Sequence, residues 1–124
     1  MAQAAGAVEV RIGEGIAWLI MSGDAANRLT PALRDALLTE LSRAEADPAV
    51  ACIVLQGAGL CFSEGDDPAE LEGPHAIPDP ATLCRRVEAC AKPVIAALHG
   101  SALGTGAELA LAAHYRIAAP GARF

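Results

Sequence analysis

Two unbroken apolar runs constrain this chain more than any other feature. "VACIVLQG" (Val50–Gly57) and "KPVIAALHG" (Lys92–Gly100) carry no polar residue from Val50 to Leu55 or from Pro93 to Leu98. A strand with one wet face alternates, whereas a continuous run suits a strand covered on both faces, as in a parallel sheet. The segments around them have helical spacing. Thr30 precedes Pro31, a helix cap followed by a first-turn proline. Leu33, Leu37, Leu41 and Ala44 then recur on one face, while Arg34, Asp35, Arg43 and Glu45 fall mostly elsewhere. This predicts an amphipathic helix ending near Asp47-Pro48. Ala81–Ala91 and "GTGAELALAAH" read as further helices, and "YRIAAPGARF" starts another strand. Ahead of them, "GIAWLIMSG" reads as a strand that pairs with Val8–Ile12 across the turn "GEG". Alternating strands and helices imply parallel crossovers and an α/β fold. The segment "AGLCFSEGDDPAEL" reads as a loop ending in a helical turn, and the proline-rich "GPHAIPDP" is expected to be mobile.

A length of 124 residues fits one domain. Such a chain can bury roughly two-thirds of its unfolded surface, and 53% hydrophobic residues argue against disorder. The net charge of −6, without a basic run, makes nucleic acid or an anionic membrane a poor partner. Cys52, Cys61, Cys84 and Cys90 form no Cys-x-x-Cys pair, and no histidine stands at zinc-finger spacing. They read as small core residues in a reducing compartment. The start "MAQAAGAVEV" lacks the basic residues and apolar run of a signal peptide. No stretch reaches the ~18 apolar residues of a membrane span. The expected location is the cytoplasm.

The stretch "HGSALGTGAELALAAHYRIAA" (His99–Ala119) places a carboxylate, Glu108, just behind a glycine turn on an otherwise apolar helix. A dinucleotide fingerprint would need Gly or Ala where Leu109 stands. A phosphate loop would need Lys-Ser or Lys-Thr after the glycines, and a nucleophile elbow needs Gly-x-Ser-x-Gly; neither is present. What remains is a glycine turn that opens a helix. Its first N–H groups lack intrahelical partners and, with the helix dipole, can hold an oxyanion. Glu108 then has two readings: a first-turn partner of the dipole, or an acid/base that moves a proton beside that oxyanion.

Two motifs in order, "ACIVLQGAGLCFSEGDD" and "PVIAALHGSALGTGAELALAAHYRIAAPGARF", resemble the enoyl-CoA hydratase/isomerase (crotonase) superfamily, with likeness running from Gly15 to Phe124. The resemblance implies a spiral of ββα units, assembled as homotrimers or hexamers, acting on an acyl-CoA. No cofactor is implied beyond the coenzyme A of the substrate. It places two backbone N–H donors, those of Asp66 and Thr105, on the thioester oxygen as it becomes an enolate. Glu108 matches the family's acid/base, and Glu64, Gly65 and Gly104 line the substrate site. On this reading residues 1–124 are one crotonase-like domain, incomplete at its C-terminus and lacking the C-terminal helices. A second glutamate used by hydratases would then lie past Phe124. The alternative from another class is a non-catalytic relative that binds an acyl-CoA or serves assembly.

The chain departs from the family pattern at several positions. Alanine or serine is usual where Asp66 stands, alanine at Glu64, a basic residue at Ala69, aspartate at His114 and glycine at Thr105. Asp66 matters most. A carboxylate ~4 Å from an enolate costs ~4 kcal/mol at an effective dielectric of 20, about as much as one oxyanion donor contributes. Its side chain turns away, is protonated, or impairs the ordinary reaction. Glu64, Asp66 and Asp67 read as a solvated acidic loop and not a metal site. His99 reads as a packed or hydrogen-bonded histidine, His75 as solvated, and Trp18 as core.

Overall fold

The computed structural model describes residues 7–124. The leading residues 1–6, which form most of the stretch read above for a signal peptide, lie outside the described residues. Strands β1 (Ala7–Gly13) and β2 (Ile16–Ser22) form the expected hairpin, with Glu14 and Gly15 at positive φ in its turn. Helix α1 (Pro31–Ala46) follows, then β3 (Cys52–Gly57), a 3-10 turn (Pro68–Glu70), α2 (Pro80–Glu88), β4 (Val94–Leu98), α3 (Thr105–Ala112) and β5 (Tyr115–Ala118). The five strands lie in chain order in one sheet. Only the β1–β2 pair is antiparallel.

The helices begin where the sequence says they should. Thr30 Oγ1 accepts from Leu33 N at 3.2 Å with Pro31 in the first turn. Asp79 does the same for α2, accepting from Thr82 N at 2.8 Å ahead of Pro80. That second cap lies inside the segment read as a mobile loop, so α2 starts one residue earlier than expected and ends at Glu88. At the other ends, Lys92 Nζ donates to Ala44 O of α1 and to O of its cap Asp47, and Arg116 donates to Ala110 O and Leu111 O of α3 and to O of its cap Ala113. Cations at helix C-termini satisfy carbonyls left without partners and complement the dipole.

The core is one layer between the sheet and its helices. Ala17, Leu19 and Met21 of β2, Ile53 and Leu55 of β3, and Val94, Ala96 and Leu98 of β4 share a face by register. They cluster with Leu33, Leu37 and Leu41 of α1, Leu83 and Val87 of α2, and Leu109 of α3. The opposite face corrects the reading of fully covered strands. Cys52, Val54, Ile95 and Ala97 lie there only half-buried, because all three helices pack on the other side. Trp18 belongs to this second face and is half-buried, not core; it stands opposite Arg11 on β1 and Val54 on β3. All four cysteines are free thiols. Cys61 and Cys90 are buried, and Cys52 and Cys84 partly so.

Arg34 overturns its assignment to the solvent face of α1. It is fully buried, and its guanidinium holds Glu70 by two bonds, of 2.7 and 3.0 Å. It also donates to Pro78 O at 2.6 Å, Ala76 O at 3.0 Å and the carbonyl of Leu29. One planar fork thereby ties the segment from Glu70 to Pro78 onto α1. Glu70 Oε2 adds a bond from Ala76 N at 2.7 Å.

Candidate active site

Three loops leave the carboxyl ends of β3, β4 and β5 and lie side by side. Phe62 N donates to His99 O, Ser63 N to Ser101 O, Leu103 N to Ser63 O, Ala102 N to Arg123 O and Arg123 N to Gly100 O. This stacking brings residues 64–66 against residues 103–106, far apart in the chain. Crevices beyond the carboxyl ends of parallel strands are where open α/β sheets place ligands.

The loop after β3 is pinned from below. Asn27, buried and at φ +48°, donates from Nδ2 to Ala58 O, Cys61 O and Phe62 O. Ser63 Oγ donates to Asn27 O at 2.7 Å and accepts from Gly65 N at 3.1 Å. Leu29 N donates to Gly65 O and Glu64 N to Ala26 O. Gly65 sits at φ +91°, and a Cβ there would overlap the Leu103 carbonyl while lying 3.0 Å from the nitrogens of Thr105 and Gly106. Only glycine lets the two loops approach this closely.

At that contact two peptide N–H groups, of Asp66 and Thr105, donate to no acceptor among the described residues. Gly106 N and Ala107 N donate to Leu103 O and Glu108 N to Gly104 O, whereas Asp67 N and Gly104 N, like the pair, have no acceptor among the described residues. The pair flanks Gly65 at the N-terminus of α3. Unpaired donors here can hold an anionic oxygen.

Asp66 is half-buried, and its carboxylate does not turn away from this turn. Oδ2 would lie 2.6 Å from a Cβ on Gly104, so the carboxylate occupies the space that Gly104, at φ +53°, leaves open. Asp66→Ala is therefore expected to tighten an enolate anion held by the two N–H groups by about tenfold, as a screened repulsion of one to two kcal/mol disappears. Titration calorimetry of both proteins checks this; equal affinity would mean the carboxylate does not act on the bound oxygen.

Glu108 is exposed in the first turn of α3, on one wall of a cleft of about 300 Å³ lined by His75, Asp79, Pro80, Ala81, Thr105 and Glu108. Hydrogen bonds from the Thr82 hydroxyl and then its N–H hold Asp79 below the usual carboxylate range. Cys84 is no rival nucleophile: burial, and then the charge of Glu108, push its thiol up to about 11. Glu64 is exposed and is not among the residues lining that cleft. Among the described residues no cluster of three or more His, Cys, Asp or Glu side chains could hold a metal ion, and no helix is long and apolar enough to cross a membrane.

The remaining histidines divide by partner. His99 Nε2 is hydrogen-bonded to Gly59 O at 2.8 Å, as expected. His114 accepts from Val94 N at Nδ1 and donates from Nε2 to Glu88 O, joining α2 to β4. An aspartate could only accept at that position. His75 is exposed, as read, yet it reaches the cleft wall, which nothing in the linear order of residues signals. Asp79 could have been found from the pattern Asp-Pro ahead of a helix.

The mixed five-stranded sheet thus places a glycine turn with unpaired N–H groups beside the helical carboxylate of Glu108. The chain belongs to the enoyl-CoA hydratase/isomerase family, whose family model matches residues 11–124. It is 36% identical over 124 residues to a Bacillus subtilis (strain 168) protein named "Probable enoyl-CoA hydratase", covering 94% of this chain and 48% of that protein. It is 39% identical over 107 residues to the peroxisomal bifunctional enzyme of Danio rerio, covering 86% of this chain and 15% of that protein. The solved structure of an enoyl-CoA hydratase from Polaromonas sp. JS666 superposes with a TM-score of 0.86 at 30% identity, covering 94% of this chain and 49% of that one. The crotonase fold expected from the sequence is thus the fold observed. The chain spans about half the length of the Bacillus and Polaromonas relatives.

Proposed function

We propose that the protein acts on a coenzyme A thioester of an unsaturated acid through an enolate, with hydration or isomerisation of the double bond as its reaction. The thioester oxygen sits between Asp66 N–H and Thr105 N–H. Glu108 exchanges a proton with the acyl chain, and Glu64, Gly65 and Gly104 shape the surrounding walls. Coenzyme A enters as part of the substrate. The observation that supports this reading is the pair of N–H groups without acceptors among the described residues, brought close by Gly65, with Thr105 also on the wall of the cleft that holds Glu108. Such donors contribute ~3–4 kcal/mol each when aimed at a developing oxyanion. Assembly into trimers follows the family, and the exposed Leu111, Tyr115, Ile117 and Phe124 offer apolar surface for contacts.

A conjugated aryl-enoyl-CoA tests the oxygen site, because polarising its carbonyl moves its absorption to longer wavelength. The intact protein is expected to produce this shift, and Gly65→Ala, which forces the two donors apart, to abolish it. A bound thioester with an unshifted spectrum would overturn the proposal.

A further inference from the structure

The cleft beside Glu108 has two walls from segments far apart in the chain. Thr105 and Glu108 of α3 form one, and His75, Asp79, Pro80 and Ala81 form the other. The second wall is firmly built, although its residues read as a loose proline-rich stretch. Ala76, next to His75, donates its N–H to Glu70 Oε2 at 2.7 Å, and its carbonyl accepts from Arg34 Nη2 at 3.0 Å. Pro78 O accepts from Arg34 Nε, and Asp79 accepts from Thr82 N to start α2. Both backbone polar groups of Ala76 are thereby tied to the buried Arg34–Glu70 pair, so His75 is presented from a fixed point of the chain.

Of the four polar side chains on this cleft, two are otherwise placed. Asp79 caps α2, and the Thr105 hydroxyl lies buried from solvent. The side chains of His75 and Glu108 are exposed and make no hydrogen bond among the described residues. An imidazole gives or takes a proton near neutral pH, and a carboxylate takes one. A cleft of about 300 Å³ is on the order of 8 Å across, which seats a carbon chain with a proton carrier about 3–3.5 Å from it on either side. Resting on the reading of an enoyl thioester site, we infer that His75 is a second catalytic acid/base, facing Glu108 across the acyl chain. Glu108 takes the α-proton of a 3-enoyl-CoA, and the C–H electron pair enters a dienolate whose oxygen the two N–H groups hold. The imidazolium of His75 gives its proton to the γ-carbon, and the double bond comes to lie between the α- and β-carbons. The acyl chain loses one proton and gains one, so its composition and redox state are unchanged. Solvent takes the proton from Glu108 and returns one to His75 between turnovers. This deepens the proposed function from either reaction to isomerisation, by two groups instead of one.

The test follows a label and compares two rates in the intact protein. A 3-enoyl-CoA carrying deuterium at the α-carbon is turned over in ordinary water. Two carriers on opposite walls send the abstracted deuterium to solvent, so the 2-enoyl product is expected to hold none at the γ-carbon. Deuterium found there would show one group carrying it from α to γ and would overturn the inference. Exchange of the α-proton of a saturated acyl-CoA in heavy water needs the N–H donors and Glu108 but no second carrier. His75→Gln, a change at an exposed position, is expected to lower isomerisation at least tenfold further than this exchange. Equal losses of the two rates would overturn the inference. A native protein that exchanges the α-proton but does not isomerise would overturn it too, while leaving the enolate reading standing. A native protein that neither exchanges nor shifts the aryl-enoyl spectrum would overturn both.

Discussion

Glu108→Gln is expected to lower turnover of an unsaturated acyl-CoA by ~10²–10⁴-fold, with thioester affinity changed little. Glutamine keeps the length, shape and hydrogen-bonding reach of glutamate, and the N–H donors of Asp66 and Thr105 belong to the backbone. Only the capacity to take and return a proton is removed. Steady-state rates and calorimetric affinities on the same preparations separate the two quantities. The competing role makes a different forecast. A first-turn carboxylate that merely complements the dipole of α3 contributes at most ~1 kcal/mol at an exposed position. Its loss would trim stability and leave turnover intact, and that outcome would remove Glu108 from the chemistry.

Arg34→Ala is expected to destabilise the fold by about 3–5 kcal/mol, the range for breaking one partner out of a buried ion pair. The variant leaves Glu70, whose side chain is only 9% exposed, without its counter-charge, and strips donors from Ala76 O, Pro78 O and Leu29 O. Urea unfolding measures the loss, and Arg34→Ala combined with Glu70→Ala should cost clearly less than the sum of the single changes. The pH dependence carries the same signature. The Arg34 guanidinium, against some opposing desolvation and aided by Ala76 N–H, holds Glu70 down from 4.5 to about 2. Because the folded value is the lower one, this contribution is complete above about 4.5 and is lost as pH falls toward 2. The acid limb of the stability curve should therefore flatten over that window in Arg34→Ala. Additive single and double variants would show the pair to be uncoupled. The variant should also weaken catalysis, since the strap that Arg34 ties down carries His75 and Asp79 to the cleft.

Much of this architecture is legible residue by residue. The caps at Thr30 and Asp79 and the prolines behind them are local: a side-chain oxygen and an N–H three residues on settle where a helix starts. Asp79-Pro80 has the same form as Thr30-Pro31 but sits in a proline-rich stretch whose composition points to a loop. The apolar runs of β3 and β4 marked parallel strands, although a continuous run does not reveal how much lies over its second face. Trp18 shows this limit. Its alternation partner Leu19 is in the core, while Trp18 points to the face that the three helices leave uncovered.

What the sequence by itself determined is the order and type of the elements, the glycine turn before α3 and the identity of Glu108 as the carboxylate behind it, because these depend on contacts a few residues apart. Arg34 became the buried clamp of the 70–78 segment only through folding, since a charge at a helical position looks solvated until its partners arrive from 36 to 44 residues away. The same holds for the site. The approach of Gly65 to Thr105, the carboxylate of Asp66 over Gly104, and the gathering of His75 and Asp79 beside Glu108 all follow from strand pairing that stacks distant loops. Register and loop stacking minimise a free energy summed over the whole chain, and no short stretch of residues contains that sum.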